Sequence, residues 1–221
     1  MIEAARSVTN NNMLICVSSI NPEALLDAVY AGADMIELGN FDSFYEQGIS
    51  FTSDDILSLT EETRKLLPDT PLSVTIPHIL ELNEQVELAK KLQSVGTDII
   101  QTEGKMSSNP SGMGIRELIE TAAPTIASAY AISRSIDIPV MCSSGLTDVT
   151  APLALSAGAR GIGIGSMVNT LQSPQQMILA VSAIAESIGR YPTPKTTSTN
   201  TLLQQNISQA DIIAASYKLN K

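Results

Sequence analysis

Short β-branched runs along the chain alternate with stretches whose apolar residues return every three or four positions. Several of these stretches stop on small residues such as Ala31-Gly32-Ala33. A period near two that gives way to one near 3.6 and then returns predicts parallel strands joined by helical crossovers. Strands are expected over Met13 to Ser19, Asp34 to Gly39, Leu72 to Pro77 and Asp98 to Glu103. Asn21-Pro22-Glu23 opens the first crossover helix, since proline suits a first turn, and Leu25, Leu26 and Val29 share one face. Ser53-Asp54-Asp55 caps a second helix running to about Leu67, and Glu81 to about Val95 forms a third.

Further along, Ile115 to Ala122 reads as helix, Pro124 to Ser128 as a short strand and Ala129 to Ile136 as a short helix, with one longer helix as the alternative. The rhythm then resumes with a strand over Ile138 to Ser143, a helix over Val149 to Ala157, a strand over Gly161 to Gly165 and a helix over Pro174 to Ile188. The expected fold class is α/β, a TIM (β/α)₈ barrel. About seven strands are predicted where closure takes eight. Met1 to Ser7 resembles the tail of a helix, with Ile2 and Ala5 toward a core, so the first strand-helix unit is expected to be missing through truncation or a misplaced start. The expected domains are a barrel over residues 1–190 and, over 191–221, a Pro/Thr-rich linker followed by a terminal helix from near Ser208.

Alternation along each strand sorts side chains into those facing the helices and those facing the barrel interior. Ile36 and Leu38 outward leave Met35, Glu37 and Gly39 inward, Val74 and Ile76 outward leave Ser73 and Thr75 inward, and Ile100 and Thr102 outward leave Gln101 and Glu103 inward. Two carboxylates thus approach the strand ends where barrels of this kind carry their chemistry. Glu37 and Glu103 are candidates for a general acid and base, or for members of a structural hydrogen-bond network. His78, the single histidine, follows a strand and sits near the mouth as a candidate proton shuttle or ligand. A metal held by His78, Glu37 and Glu103 is conceivable, but their scatter over three strands assigns none.

No strand supplies an inward lysine, which disfavours Schiff-base chemistry. The nearest is Lys105, in the Gly/Ser/Asn-rich loop Gly104 to Gly114, which reads equally as an anion lid and as a plain connection. The catalytic candidates are therefore Glu103, Glu37, His78 and Lys105. The loop Asn40 to Thr52 holds Phe41, Phe44 and Phe51 together with Tyr45, an aromatic load that marks a lid, a protein interface or a satellite core. A homo-oligomer or partner contact through Phe41 to Phe51 is expected on that ground.

A phosphate held by backbone needs glycines for close approach, exposed amide donors and a helix start. Two segments supply them: Ser143, Ser144 and Gly145 after one strand, and Gly163, Gly165 and Ser166 after the next, with a short extra helix from Met167. One such segment alone does not identify a phosphate site, and two at neighbouring strand ends point to one.

Composition narrows the partners. A length of 221 residues with 43% hydrophobic content suits one barrel-sized core. A net charge of −10 and a pI near 4.5 oppose nucleic acid, which demands a basic face. No apolar run reaches the ~18 residues of a membrane span, and the opening residues carry no signal pattern, so an intracellular location is expected. Cys16 and Cys142 lie in strands without metal-like spacing and read as buried, reduced thiols.

Four stretches make the chain recognisable: Cys16-Val17-Ser18-Ser19-Ile20-Asn21-Pro22, Glu37-Leu38-Gly39-Asn40-Phe41-Asp42-Ser43-Phe44-Tyr45, Gln101-Thr102-Glu103-Gly104 and Cys142-Ser143-Ser144-Gly145-Leu146. They resemble the family of hypothetical chloroplast reading frame twenty-three, found in cyanobacteria and algal plastids, over nearly the whole chain to Arg190. The resemblance implies a phosphate-binding barrel in a cyanobacterial cytoplasm or plastid stroma. It carries over no catalytic residue and no cofactor, which stays unknown. The expected function is lyase, isomerase or synthase chemistry on a small phosphorylated metabolite, and the alternative is a non-catalytic metabolite-binding or regulatory barrel acting through a protein partner.

Overall fold

A computed structural model of the chain describes residues 2–9, 13–45, 47–105 and 108–189. The predicted linker and terminal helix of 191–221 lie outside the described residues. Six strands, β1 (Cys16–Ser18), β2 (Met35–Leu38), β3 (Leu72–Ile76), β4 (Ile99–Thr102), β5 (Val140–Ser143) and β6 (Gly161–Gly163), pair in parallel and in sequence order. The helices are α1 (Ile2–Thr9), α2 (Pro22–Tyr30), α3 (Asp42–Tyr45), α4 (Ser53–Leu66), α5 (Leu82–Ser94), α6 (Ile115–Ile132), α7 (Ala151–Ser156), α8 (Ser166–Asn169) and α9 (Pro174–Ser187). The sheet curls with helices along its outer side, giving a partial TIM barrel.

Local chemistry sets the helix starts. Asn21 Oδ1 accepts from the amides of Glu23 and Ala24 as Pro22 enters the first turn of α2. Thr52 and Asp55 form a reciprocal capping box at α4, one residue before the predicted cap. The core lies between sheet and helices, where Ile36, Leu38, Val74, Ile76, Ile100 and Val140 meet Leu25, Ile56, Leu88, Leu92 and Ala129. Each fully buried Leu or Ile contributes roughly 1.5–3 kcal/mol relative to exposure. The outward half of the predicted alternation is thus realised strand by strand.

One predicted unit is not formed. Residues Pro124 to Ser128 are helical, and α6 runs unbroken from Ile115 to Ile132 with the proline inside it, which is the longer-helix alternative. The buried residues Ala122, Thr125, Ser128, Ala129 and Ile132 recur at the helical period, and this outweighs the β-branched character of Thr125 and Ile126. Thr125 then joins the helix to the sheet: its hydroxyl lies 2.7 Å from Thr102 Oγ1 and donates to the Ser143 carbonyl at 2.6 Å. Cys142 is buried as expected, whereas Cys16 is exposed because β1 is an edge of the described sheet.

At the N-terminal ends of the strands, two arginine–aspartate pairs tie neighbouring units. Arg64 of α4 donates to the carbonyls of Leu67, Pro68, Thr70 and Gly96 and to Asp98, whose carboxylate also accepts the Leu72 amide at 2.8 Å. Arg6 of α1 does the same with the Met13 and Gly32 carbonyls and Asp34, and Asp34 accepts the Ile15 amide at 2.7 Å. That amide bond, with Arg6 behind it, holds the Asp34 carboxyl below its ordinary range.

Candidate functional site

The other end of the sheet is built differently. Glu37 points into the curl from β2, and its Oε1 accepts from Thr75 Oγ1 at 2.8 Å and, closely, from Gln101 Nε2. Burial pushes its carboxyl above the ordinary range against the pull of these donors. Gly39 has to be bare here, because a Cβ on it would stand 2.5 Å from Thr75 Oγ1 and 2.6 Å from Glu37 Oε1. Of the predicted inward set, Glu37, Thr75 and Gln101 form one connected network.

Toward the mouth, Glu103 follows β4 and is buried. Its Oε1 accepts the His78 amide at 3.1 Å and the Tyr45 hydroxyl at 3.2 Å. Burial first, and the neighbouring Asp42 second, raise its carboxyl to about 8. The His78 imidazole is almost fully enclosed, with Nε2 3.2 Å from Asp42 Oδ1 and the Tyr45 ring edge-on at 5.0 Å. Burial and Glu103 also raise the Tyr45 phenol well above its usual value. Ligating atoms of Asp42, His78 and Glu103 all fall within 4.8 Å of one another. Of the catalytic candidates, the structure brings His78 and Glu103 together, with Asp42 beside them, while Glu37 lies deeper.

Asp42 and Tyr45 were absent from the predicted set. They arrive on α3, which begins after Asn40 takes a left-handed backbone (φ 64°) and turns the chain back over the mouth. Their signal in the sequence is the aromatic loop. Phe41 is fully buried and stacks on Phe51 at 5.0 Å, and Phe44 meets Phe51 edge-on at 5.5 Å. Phe41 belongs to the main core, with Phe51 and Tyr45 packed against it, and this anchors α3.

The predicted phosphate segments converge beside this cluster. Ser144 and Gly145 both take φ 75°, turning the chain sharply out of β5. Only glycine suits the second position, where a Cβ would also approach the Thr121 carbonyl oxygen to 2.8 Å. Ser144 Oγ accepts the Lys105 amide at 3.1 Å, and Lys105 Nζ donates to Ser166 Oγ at 3.2 Å across the mouth. Gly163 leaves room for Ser143, whose hydroxyl donates to the Thr102 carbonyl at 2.8 Å. Gly165 precedes α8. Lys105 thus bridges the two predicted segments, with its backbone amide on Ser144 and its side-chain amine on Ser166. An apolar groove of about 570 Å³ lies elsewhere, on the outer face of α5, α6 and α7, and is lined by none of the predicted site residues.

Residues 1–193 match the model of a family described as Protein of unknown function (DUF561). The chain belongs to this family. A relative from Cyanophora paradoxa, "Uncharacterized protein ycf23", is 50% identical over 177 residues, covering 80% of this chain and 72% of that one. The family expected from the four sequence stretches is therefore the one found. Among solved structures, 2,3-dimethylmalate lyase, a PEP mutase/isocitrate lyase superfamily member, is similar with a TM-score of 0.61 and 12% identity over 96% of this chain and 78% of that one. Phosphoenolpyruvate phosphomutase from Streptomyces platensis is similar with a TM-score of 0.58 and 14% identity over 93% and 77%. At these identities the likeness concerns the fold. No helix among the described residues is long and apolar enough to cross a membrane.

Proposed function

We propose that this family member is a barrel enzyme of the lyase type, or of the related isomerase or synthase type, acting on a small phosphorylated metabolite in a cyanobacterial cytoplasm or plastid stroma. The observation that carries the reading is that Lys105, two residues along the chain from buried Glu103, bonds both predicted segments, Ser144 through its backbone amide and Ser166 through its side-chain amine. A phosphate at that point is neutralised by the Lys105 ammonium and takes hydrogen bonds from the Ser144 and Ser166 hydroxyls, with Ser143, Gly145, Gly163 and Gly165 shaping close backbone approach. Holding one end of a short substrate there lays its reacting carbons against Glu103, His78 and Tyr45, which converts positioning into rate. Glu37 supports this wall from below through Gln101 and Thr75. The names of the two structural neighbours, a lyase and a phosphomutase, accord with this class of chemistry.

The test is a thermal-shift screen of inorganic phosphate and short phosphorylated acids and sugars, followed by product analysis on any ligand found. A ligand at 100 times its dissociation constant stabilises the protein by about 2.7 kcal/mol. Wild type is expected to respond, and Gly165→Asp, which places a carboxylate among the anion donors, is expected not to. Binding without any product would replace the enzyme reading with the metabolite-binding barrel. No response to any phosphorylated compound would remove the phosphate site itself.

A further inference from the structure

Asp42, His78 and Glu103 reach one point from three segments: the first turn after β2, the loop after β3 and the end of β4. Their surroundings contrast with those of Asp34 and Asp98, each of which is paired with an arginine. Among the described residues, no arginine or lysine is bonded to Asp42 or Glu103. Asp42 Oδ1 is a buried atom that accepts no aligned hydrogen bond, although His78 Nε2 stands only 3.2 Å away.

We propose that Asp42, His78 and Glu103 form a binding site for one divalent first-row transition ion of the Mn²⁺ or Zn²⁺ kind. An imidazole nitrogen with two carboxylate oxygens is a donor set suited to those ions, and three protein ligands leave coordination positions open to the mouth. Ligand atoms about 2.1 Å from such an ion lie at most about 4.2 Å apart, so a triad within 4.8 Å closes on it with shifts of a few tenths of an ångström. Tyr45 supplies the outer support that such sites need, through its bond to Glu103 and its ring against His78. The metal site stands on its own geometry and is independent of the lyase reading.

Because His78 is the only histidine in the chain, its imidazole proton signals report on the site without any substitution. Untagged, chelator-treated full-length protein is titrated with ZnCl₂ and followed by proton NMR, with MnCl₂ binding measured in parallel by calorimetry. One equivalent of Zn²⁺ is expected to shift the His78 resonances to saturation, and Mn²⁺ is expected to bind at a ratio of one. Asp42→Asn and His78→Gln are each expected to weaken Mn²⁺ by roughly tenfold or more, while Glu87→Gln, which alters an exposed carboxylate on α5 outside the cluster, leaves it unchanged. His78 signals that ignore a full equivalent of Zn²⁺ overturn the proposal even if every variant misfolds. So do Mn²⁺ affinities that are equal in the wild type and in folded variants.

Discussion

The two ends of the sheet treat their acids in opposite ways. At the N-terminal ends, Asp34 and Asp98 are each locked by an arginine and a backbone amide from an adjacent segment, which staples one strand-helix unit to the next. At the C-terminal ends, Glu37, Asp42 and Glu103 crowd together with hydroxyl, amide and imidazole partners, and two of the three are pushed toward protonation by burial. Satisfied charges of the first kind stabilise a fold. Carboxylates held in the second manner cost stability, and they persist at places where chemistry or ligands need them.

This contrast can be broken first at the stapled end. Arg64→Ala removes the donor to four backbone carbonyls and to Asp98, and is expected to destabilise the protein by about 2–4 kcal/mol in urea unfolding while leaving any ligand response intact. Next in size, Gly145→Ala forces a side chain into a left-handed backbone against the Thr121 carbonyl. It should cost about 2 kcal/mol and abolish the response to phosphorylated compounds, seen by thermal shift.

Glu37→Gln should act with the opposite sign. The Glu37 carboxyl is raised in the folded protein, so its protonated form is favoured by folding. That contribution is fully present below the unfolded pKa and is lost as pH rises through the folded one. Glutamine keeps a neutral acceptor for Thr75 and Gln101, so the variant's melting midpoint should exceed the wild type's by about 2–4 °C at neutral pH, with the gap closing in acid. A gap independent of pH would place the effect in packing. Smallest of all, Tyr45→Phe removes one hydroxyl bond to Glu103 and should change urea stability by less than about 1 kcal/mol.

Most of the sheet was legible because a buried parallel strand writes its helix-facing half in Val, Ile and Leu, as at Ile36 and Leu38 or Val74 and Ile76. The same reading turned Glu37, Gln101 and Glu103 inward correctly. It failed at Pro124 to Ser128, where proline and β-branched residues imitate a strand and only the spacing from Ala122 to Ile132 reveals the helix. At the mouth, His78 and Glu103 could be placed because each follows a strand end directly. Asp42 and Tyr45 could not, since their positions depend on the Asn40 turn and on Phe41 being buried, and Tyr45 meets Glu103 across 58 residues of chain. Arg64 and Asp98 escaped for the same reason at a separation of 34.

Whether the mouth holds an anion between Lys105, Ser144 and Ser166 decides the proposed function. The direct measurement is the melting midpoint of the wild type and of Lys105→Ala across a concentration series of the best phosphorylated ligand. Lys105 is exposed, so its loss should leave the unliganded midpoint within about 1 °C of the wild type. The predicted result is a ligand-dependent rise in the wild type and a binding curve displaced at least tenfold toward weaker affinity in the variant. Superimposable curves for the two proteins would contradict the site.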